Sequence, residues 1–238
     1  MSVRVDGRPA WTRRRTGCAA LSLHPLRARL AGRAVPDELL GVSRNHHVAL
    51  TFDDGPDPAS TPHVLEALER HRLRATFFLL GSHVAPAAGL VRELVAAGHE
   101  LAVHGWDHRA TPLVPAGRLA DELRRARHVV EDVGGQRVEW YRPPYGALSP
   151  ATFRAAEAAG LRTVLWSAWG RDWERRATCT SVHRTLHRTL RPGGTVLLHD
   201  TDRTSAPDSW RVTLTALPLL VQTSPAPLGP LRDHGLDR

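Results

Sequence analysis

An α/β fold, with a parallel sheet or barrel clothed in helices, is predicted from residue 48 onward by two observations. Short apolar runs rich in β-branched and aromatic residues alternate with segments of helical periodicity, and nearly every run ends on residues suited to chemistry rather than packing. In such folds the strand C-termini share one mouth, so residues distant in sequence meet there.

The first strand is expected at 48–52 and is broken by the turn chemistry of Asp53-Asp54-Gly55-Pro56. A helix over 62–71 leads to a second strand at 75–80, a helix over 85–97 and a third strand at 100–103, which runs into His104-Gly105-Trp106-Asp107-His108. Residues 116–133 form the longest helix, and Gly134-Gly135 follow it as a stop signal. A strand at 139–142 ends at Pro143-Pro144-Tyr145-Gly146, and a helix over 150–159 is opened by Ser149-Pro150 and closed by Gly160. Strands at 162–166 and 195–198 flank a helix over 181–190. That gives six strands. A seventh is not evident, because 223–227 after the segment 209–222 reads as loop, and 223–238 is expected as a short C-terminal tail.

Composition fits one enzyme-sized domain, since 238 residues with 42% hydrophobic and 24% charged side chains are ordinary globular usage. The formal charge of +8 comes from Arg alone, as no Lys occurs. The Arg residues are scattered and accompany no nucleic-acid motif, so a GC-rich coding bias explains them better than nucleic-acid recognition; a positive field would also suit an anionic glycan. Cys18 and Cys179 stand in unrelated contexts and define neither a disulfide framework nor a zinc knuckle. No apolar run reaches the 18 residues of a membrane span. Residues 1–45 read as a poorly ordered or loosely docked, Arg-rich extension. The apolar stretch after Arg13-Arg14-Arg15 is too brief for a leader, which favours a cytoplasmic location with an extracellular one as the alternative. A monomer is expected.

The chemistry concentrates at two motifs. Adjacent carboxylates at a buried strand end repel and are costly to desolvate, so a cation there is the least costly way to keep both ionised. One acid can hold metal while its neighbour handles a proton. His104 and His108 lie four apart, a spacing that would put both imidazoles on one side of a helical turn. With Asp54 they make a two-His, one-carboxylate set that leaves a coordination position open. Arg142, Asp172 between Trp169 and Trp173, and His199 at a strand end add an ordered series. Singly, each has a plain alternative: Arg142 as a surface ion pair, the Trp residues as core, His199 as a core histidine. Five such sites in order at strand ends are hard to explain as packing.

These five motifs, Thr51 to Pro56, His104 to His108, Arg142 to Gly146, Asp172-Trp173 and Leu197 to His199, resemble those of polysaccharide deacetylases of the NodB-homology type, carbohydrate esterase family 4. The resemblance covers residues 46–222. Gly105 departs from it, since the family often has Ser or Thr there, which removes a hydroxyl that would orient the imidazole. The resemblance implies a distorted, incomplete (β/α) barrel of about seven strands. It also implies a divalent metal, Zn2+ foremost with Co2+ or Ni2+ as substitutes, on Asp54, His104 and His108. Its role assignments make Asp53 the general base held by Arg142, the Tyr145 backbone N–H an oxyanion donor, and His199 the general acid held by Asp172. Trp173 and Leu197 become the pocket for the acetyl methyl, with Pro143 and Tyr145 also touching substrate. The implied activity is removal of N-acetyl groups from N-acetylglucosamine-type sugars in a glycan, oligosaccharide or glycoconjugate. O-acetyl esterase or small-molecule amidase activity is the alternative within hydrolases, and a non-catalytic glycan-binding relative the alternative outside them.

Overall fold

A computed structural model describes residues 35–236. The leader reading and most of the Arg-rich extension fall on residues 1–34, outside the described residues.

Among the described residues, eight strands form one wholly parallel sheet: β1 (Val48–Asp53), β2 (Thr76–Leu79), β3 (Glu100–Val103), β4 (Trp140–Tyr141), β5 (Arg162–Thr163), β6 (Ala168–Trp169), β7 (Thr195–His199) and β8 (Leu228–Gly229). The order is β5-β4-β3-β2-β1-β7-β6, with β8 paired to β1. Around the sheet lie α1 (Thr61–Arg70), α2 (Gly81–Val84), α3 (Ala88–Ala96), α4 (Ala116–Gly134), α5 (Pro150–Ala158), α6 (Cys179–His187) and α7 (Ser209–Thr223). The sheet curls into a half-barrel, as the sequence led us to expect.

Period-two alternation decides which side chains line the inside. On β1, Leu50 and Phe52 point outward into the main helix-facing core, whereas Ala49 joins an inner cluster with Phe78, Ala102, Trp140 and Val164. Following that inner row upward on successive strands gives Ala49-Thr51-Asp53, Ala102-His104 and Leu197-His199. The site therefore sits on the inner face of the half-barrel, where each strand ends.

Four expectations need correction. The helix expected over 85–97 is confined to Ala88–Ala96, and a separate short helix, Gly81–Val84, precedes it; Pro86 lies in the turn between them and lacks the N–H that a continuous ladder needs. β6 is a seventh strand of only two residues, too short to leave an alternation pattern, and 209–223 is a full helix. The expected tail is packed structure. Leu228 and Gly229 pair with Val48 and Ala49, the Leu231 N–H donates to Thr76 Oγ1 at 2.8 Å, and that of Arg232 to Glu100 Oε2 at 3.0 Å. Residues 35–45, expected as part of the extension, are tied to the domain in the same way. Leu39 O accepts from Leu165 N at 2.7 Å, and Gly41 O accepts from Thr195 Oγ1 at 2.7 Å.

Candidate active site

Asp53 and Asp54 diverge in direction because the strand stops between them. Asp53 keeps its inward strand position opposite His199 of β7, while Asp54 adopts φ +81 and swings its carboxylate toward β3. His104 follows β3, with its N–H bonded to Leu79 O at 2.8 Å. The segment 104–108 is not the helical turn expected from its spacing. Gly105 at φ +97 and His108 at φ +59 make an irregular loop, pinned by Gly81 N–H to Gly105 O at 2.9 Å and Ser82 N–H to Trp106 O at 3.0 Å. The loop still turns both imidazoles to one point. Nε2 of His104 and of His108 each lie 3.2 Å from Asp54 Oδ1.

Hydrogen-bond polarity indicates what belongs at that point. Nδ1 of His104 lies 2.9 Å from the main-chain oxygen of Arg142, which can only accept, so the neutral ring carries its proton on Nδ1 and turns an Nε2 lone pair on Asp54. Asp54 Oδ1 is a buried oxygen without a hydrogen-bond partner. Lone pairs converging on an orphan carboxylate oxygen fit a cation, and the three ligand atoms lie within 4.8 Å of one another. Burial opposes ionisation of Asp54, yet the surrounding imidazoles, His199 among them, hold it well below the usual carboxylate range. Burial pushes His108 down to about 4, with the Asp54 charge opposing, so at neutral pH its lone pair is free for a metal.

Charge balance agrees. Asp53, Asp54, Asp172 and Asp200 are buried carboxyls, set against the buried Arg142 guanidinium and the His199 imidazole. Burial pushes Asp200 up to about 7, with the Thr61 hydrogen bond opposing and the Asp54 charge adding to the shift; a cation at Asp54 would favour the ionised form. Were all four ionised and His199 protonated, two negative charges would be left over, the charge that a divalent ion would offset.

Arg142 is wholly buried, not a surface ion pair. Its Nη1 donates at 2.7 Å to both Asp53 Oδ1 and Thr51 Oγ1, its Nη2 donates at 2.7 Å to Leu165 O, and the guanidinium lies 3.9 Å from the centre of the Phe78 ring. On the other side, Asp172 accepts from the His199 main-chain N–H at 2.7 Å, pairs with His199 Nδ1 at 3.1 Å, and accepts from Thr213 at 2.8 Å. Burial works against a charged His199, but the Asp172 charge and hydrogen bond, helped by Asp54 and Asp53, outweigh it and raise the imidazole to about 9. Asp172 takes Nδ1, so Nε2 is the nitrogen left for the pocket.

The pocket, of about 140 Å³, is lined by Asp53, Asp54, His104, His108 and His199 together with Pro143, Tyr145, Trp173 and Leu197. All the residues expected at the site are thus gathered in one place, with Arg142 and Asp172 directly behind the lining. Tyr145, at φ +61, is half exposed at the rim with its ring edge-on to His108 at 4.5 Å between centroids. Trp166, Trp169, Thr204 and Ser205 also line it. The Trp residues went unassigned because an apolar aromatic after a strand reads equally well as core. Thr204 donates to Asp54 Oδ2 from a loop whose sequence carries no motif.

The family profile described as Polysaccharide deacetylase matches residues 41–164. The chain belongs to the polysaccharide deacetylase family. Among relatives of this NodB-homology chain, the peptidoglycan-N-acetylglucosamine deacetylase PgdA of Listeria monocytogenes is 32% identical over 217 residues, covering 91% of this chain and 46% of PgdA. The chain thus spans about half the length of that relative. A chitooligosaccharide deacetylase of Bradyrhizobium sp. is 39% identical over 160 residues, 67% of this chain and 73% of that protein. In structure, the Bc1960 peptidoglycan N-acetylglucosamine deacetylase superposes with a TM-score of 0.74 at 25% identity, over 82% of this chain and 90% of that one. A mutant of BA3943, a family pseudoenzyme with restored enzymatic activity, superposes at 0.71 with 26% identity, over 82% of this chain and 68% of that one. The family thus includes chains that keep the fold without the activity, and the side chains present must decide.

Proposed function

We propose that this chain is a metal-dependent hydrolase that removes the acetyl group from N-acetylated amino sugars in a glycan, oligosaccharide or glycoconjugate. The observation that carries the reading is the meeting, in one pocket, of the Asp54-His104-His108 triangle with an Arg142-held carboxylate and an Asp172-held imidazole. A glycan-binding relative would need none of these buried ionisable groups. The relatives named above as sugar N-deacetylases support the amide as substrate.

A divalent cation on Asp54, His104 and His108, with zinc as the ion the donor set suits best, supplies Lewis-acid activation of the acyl oxygen and of water. Asp53, kept ionised and aimed by Arg142, takes the proton of the attacking water. The Tyr145 N–H, set by a turn in which Gly146 N–H bonds Pro143 O at 2.9 Å, serves the developing oxyanion. His199 then gives its Nε2 proton to the departing amine, and Asp172 holds the resulting ring in place. Leu197 and Trp173 form the small apolar end for the acyl methyl, which restricts larger acyl groups.

The test is acetate release from peptidoglycan, chitin oligomers, acetylxylan and small N-acetylglucosaminides, with and without chelation. Release from N-acetyl substrates that stops on chelation and returns with zinc is expected. Release from acetylxylan alone would transfer the assignment to an O-acetyl esterase, and retention of glycan without acetate to a binding protein.

A further inference from the structure

Asp200 adjoins His199 in sequence yet does not line the pocket. It is wholly buried, and both its oxygens serve the loop that carries Asp54. Oδ1 accepts the Gly55 N–H at 3.1 Å, and Oδ2 accepts the hydroxyl of Thr61. Thr61 Oγ1 in turn accepts the Asp57 N–H at 2.9 Å. Both partners of Asp200 are therefore donors, and Thr61 has already taken a main-chain hydrogen. A carboxylate serves both donors at once, whereas an Asn has one acceptor oxygen and would turn its N–H₂ toward the other.

The contact is close enough to shape the turn. A Cβ on Gly55 would stand 2.3 Å from Asp200 Oδ2, so the turn is packed directly against this carboxylate. The Gly55 carbonyl is held from the other side by Leu80 N–H at 2.8 Å. Asp54, immediately before it, occupies the left-handed region at φ +81, which a non-glycine residue holds only when its surroundings over-determine it. The same loop adds a second tie, since Asp57 Oδ2 accepts Thr201 Oγ1 at 2.8 Å and pairs with Arg203 Nε at 2.9 Å.

We propose that Asp200 is a positioning residue for the cation site: its carboxylate fixes the Asp54-Gly55 turn, so that Asp54 Oδ1 meets His104 and His108 already oriented, and thereby sets metal affinity. This rests on reading Asp54, His104 and His108 as ligands. The effect acts through Gly55 and Thr61, with no contact to substrate required.

The test is the zinc affinity of wild type, Asp200→Asn, Asp200→Ala and Thr61→Val, measured by competition with a chromogenic chelator on metal-free protein. Circular dichroism and thermal melting of the same samples report folding. Asp200→Ala should bind zinc about 10- to 100-fold more weakly, the range typical when a partner of a metal ligand is removed. Asp200→Asn and Thr61→Val, each losing one bond, should fall between it and wild type. A purely structural role would lower the melting temperature while leaving the affinity of the folded fraction unchanged, and that result overturns the proposal. If Asp200→Ala does not fold, Asp200→Asn decides by the same criterion. A wild type that binds no zinc in this assay overturns the ligand reading and this inference with it, whereas equal affinity in folded wild type and variants overturns this inference alone.

Discussion

The main-chain oxygen of Arg142 lies 2.9 Å from Nδ1 of His104, so the residue whose guanidinium holds Asp53 also sets the ring of a candidate metal ligand through its backbone. This supplies the orientation that a hydroxyl at Gly105 would give. The two services are separable, because a side-chain substitution leaves the carbonyl in place.

Arg142→Met should therefore retain zinc close to one equivalent by elemental analysis while acetate release falls by about 10² to 10⁴-fold, the usual contribution of a general base. Removing one partner of a buried ion pair should also lower unfolding stability by roughly 3 kcal/mol. Loss of zinc together with activity would show that the guanidinium, not the carbonyl, supports the metal.

Asp53 and Asp54 should fail differently although they are neighbours. Asp54→Asn is expected to lose metal and turnover together, and Asp53→Asn to keep the metal while losing most turnover. Equal zinc contents in the two purified variants would reverse the assignment.

His199→Ala should abolish amide cleavage yet keep a measurable share of nitrophenyl acetate hydrolysis, since an activated aryl oxide departs without a proton whereas an amine does not. In the intact protein Asp172 raises the imidazole, so His199 stays protonated across neutral pH and the alkaline limb of the rate profile follows its deprotonation. Asp172→Asn should move that limb to lower pH. A limb that stays put would give the acid role to another group.

Stability should fall on mild acidification, with His99 among the groups responsible. Its Nδ1 accepts the Ala75 N–H at 3.1 Å, and burial, then Arg232 and Arg74, push it down to about 4 from an ordinary 6.5. Between those values the unfolded chain binds a proton that the folded chain refuses, so this contribution is full above 6.5 and is lost as pH falls toward 4. His99→Asn, whose Oδ1 can accept the same N–H, should flatten the slope of unfolding free energy by up to about 1.4 kcal/mol per pH unit within that window. Urea unfolding of both proteins at several pH values measures it.

The candidate site was legible in the sequence because charged residues at the ends of buried strands have few structural explanations. Asp53, Asp54, His104, His108 and His199 therefore stand out in the sequence itself. What escaped notice did so for physical reasons. β6 and β8 have two residues each and offer no period to detect, and Pro225 and Pro227 disguised a packed segment as loop. The geometry of 104–108 depends on positive φ at Gly105 and His108, which spacing does not encode. Asp200 carries no signal of its own, since nothing in sequence shows that Gly55 and Thr61 lie beneath it.

The pairing of β8 with β1 has a consequence for biosynthesis. β1 precedes its partners β7 and β8 by a long stretch of chain, so Val48 meets Leu228 only after all the intervening segments have been made. Closure of the sheet around Asp53 is therefore governed by long-range pairing, which is intrinsically slow.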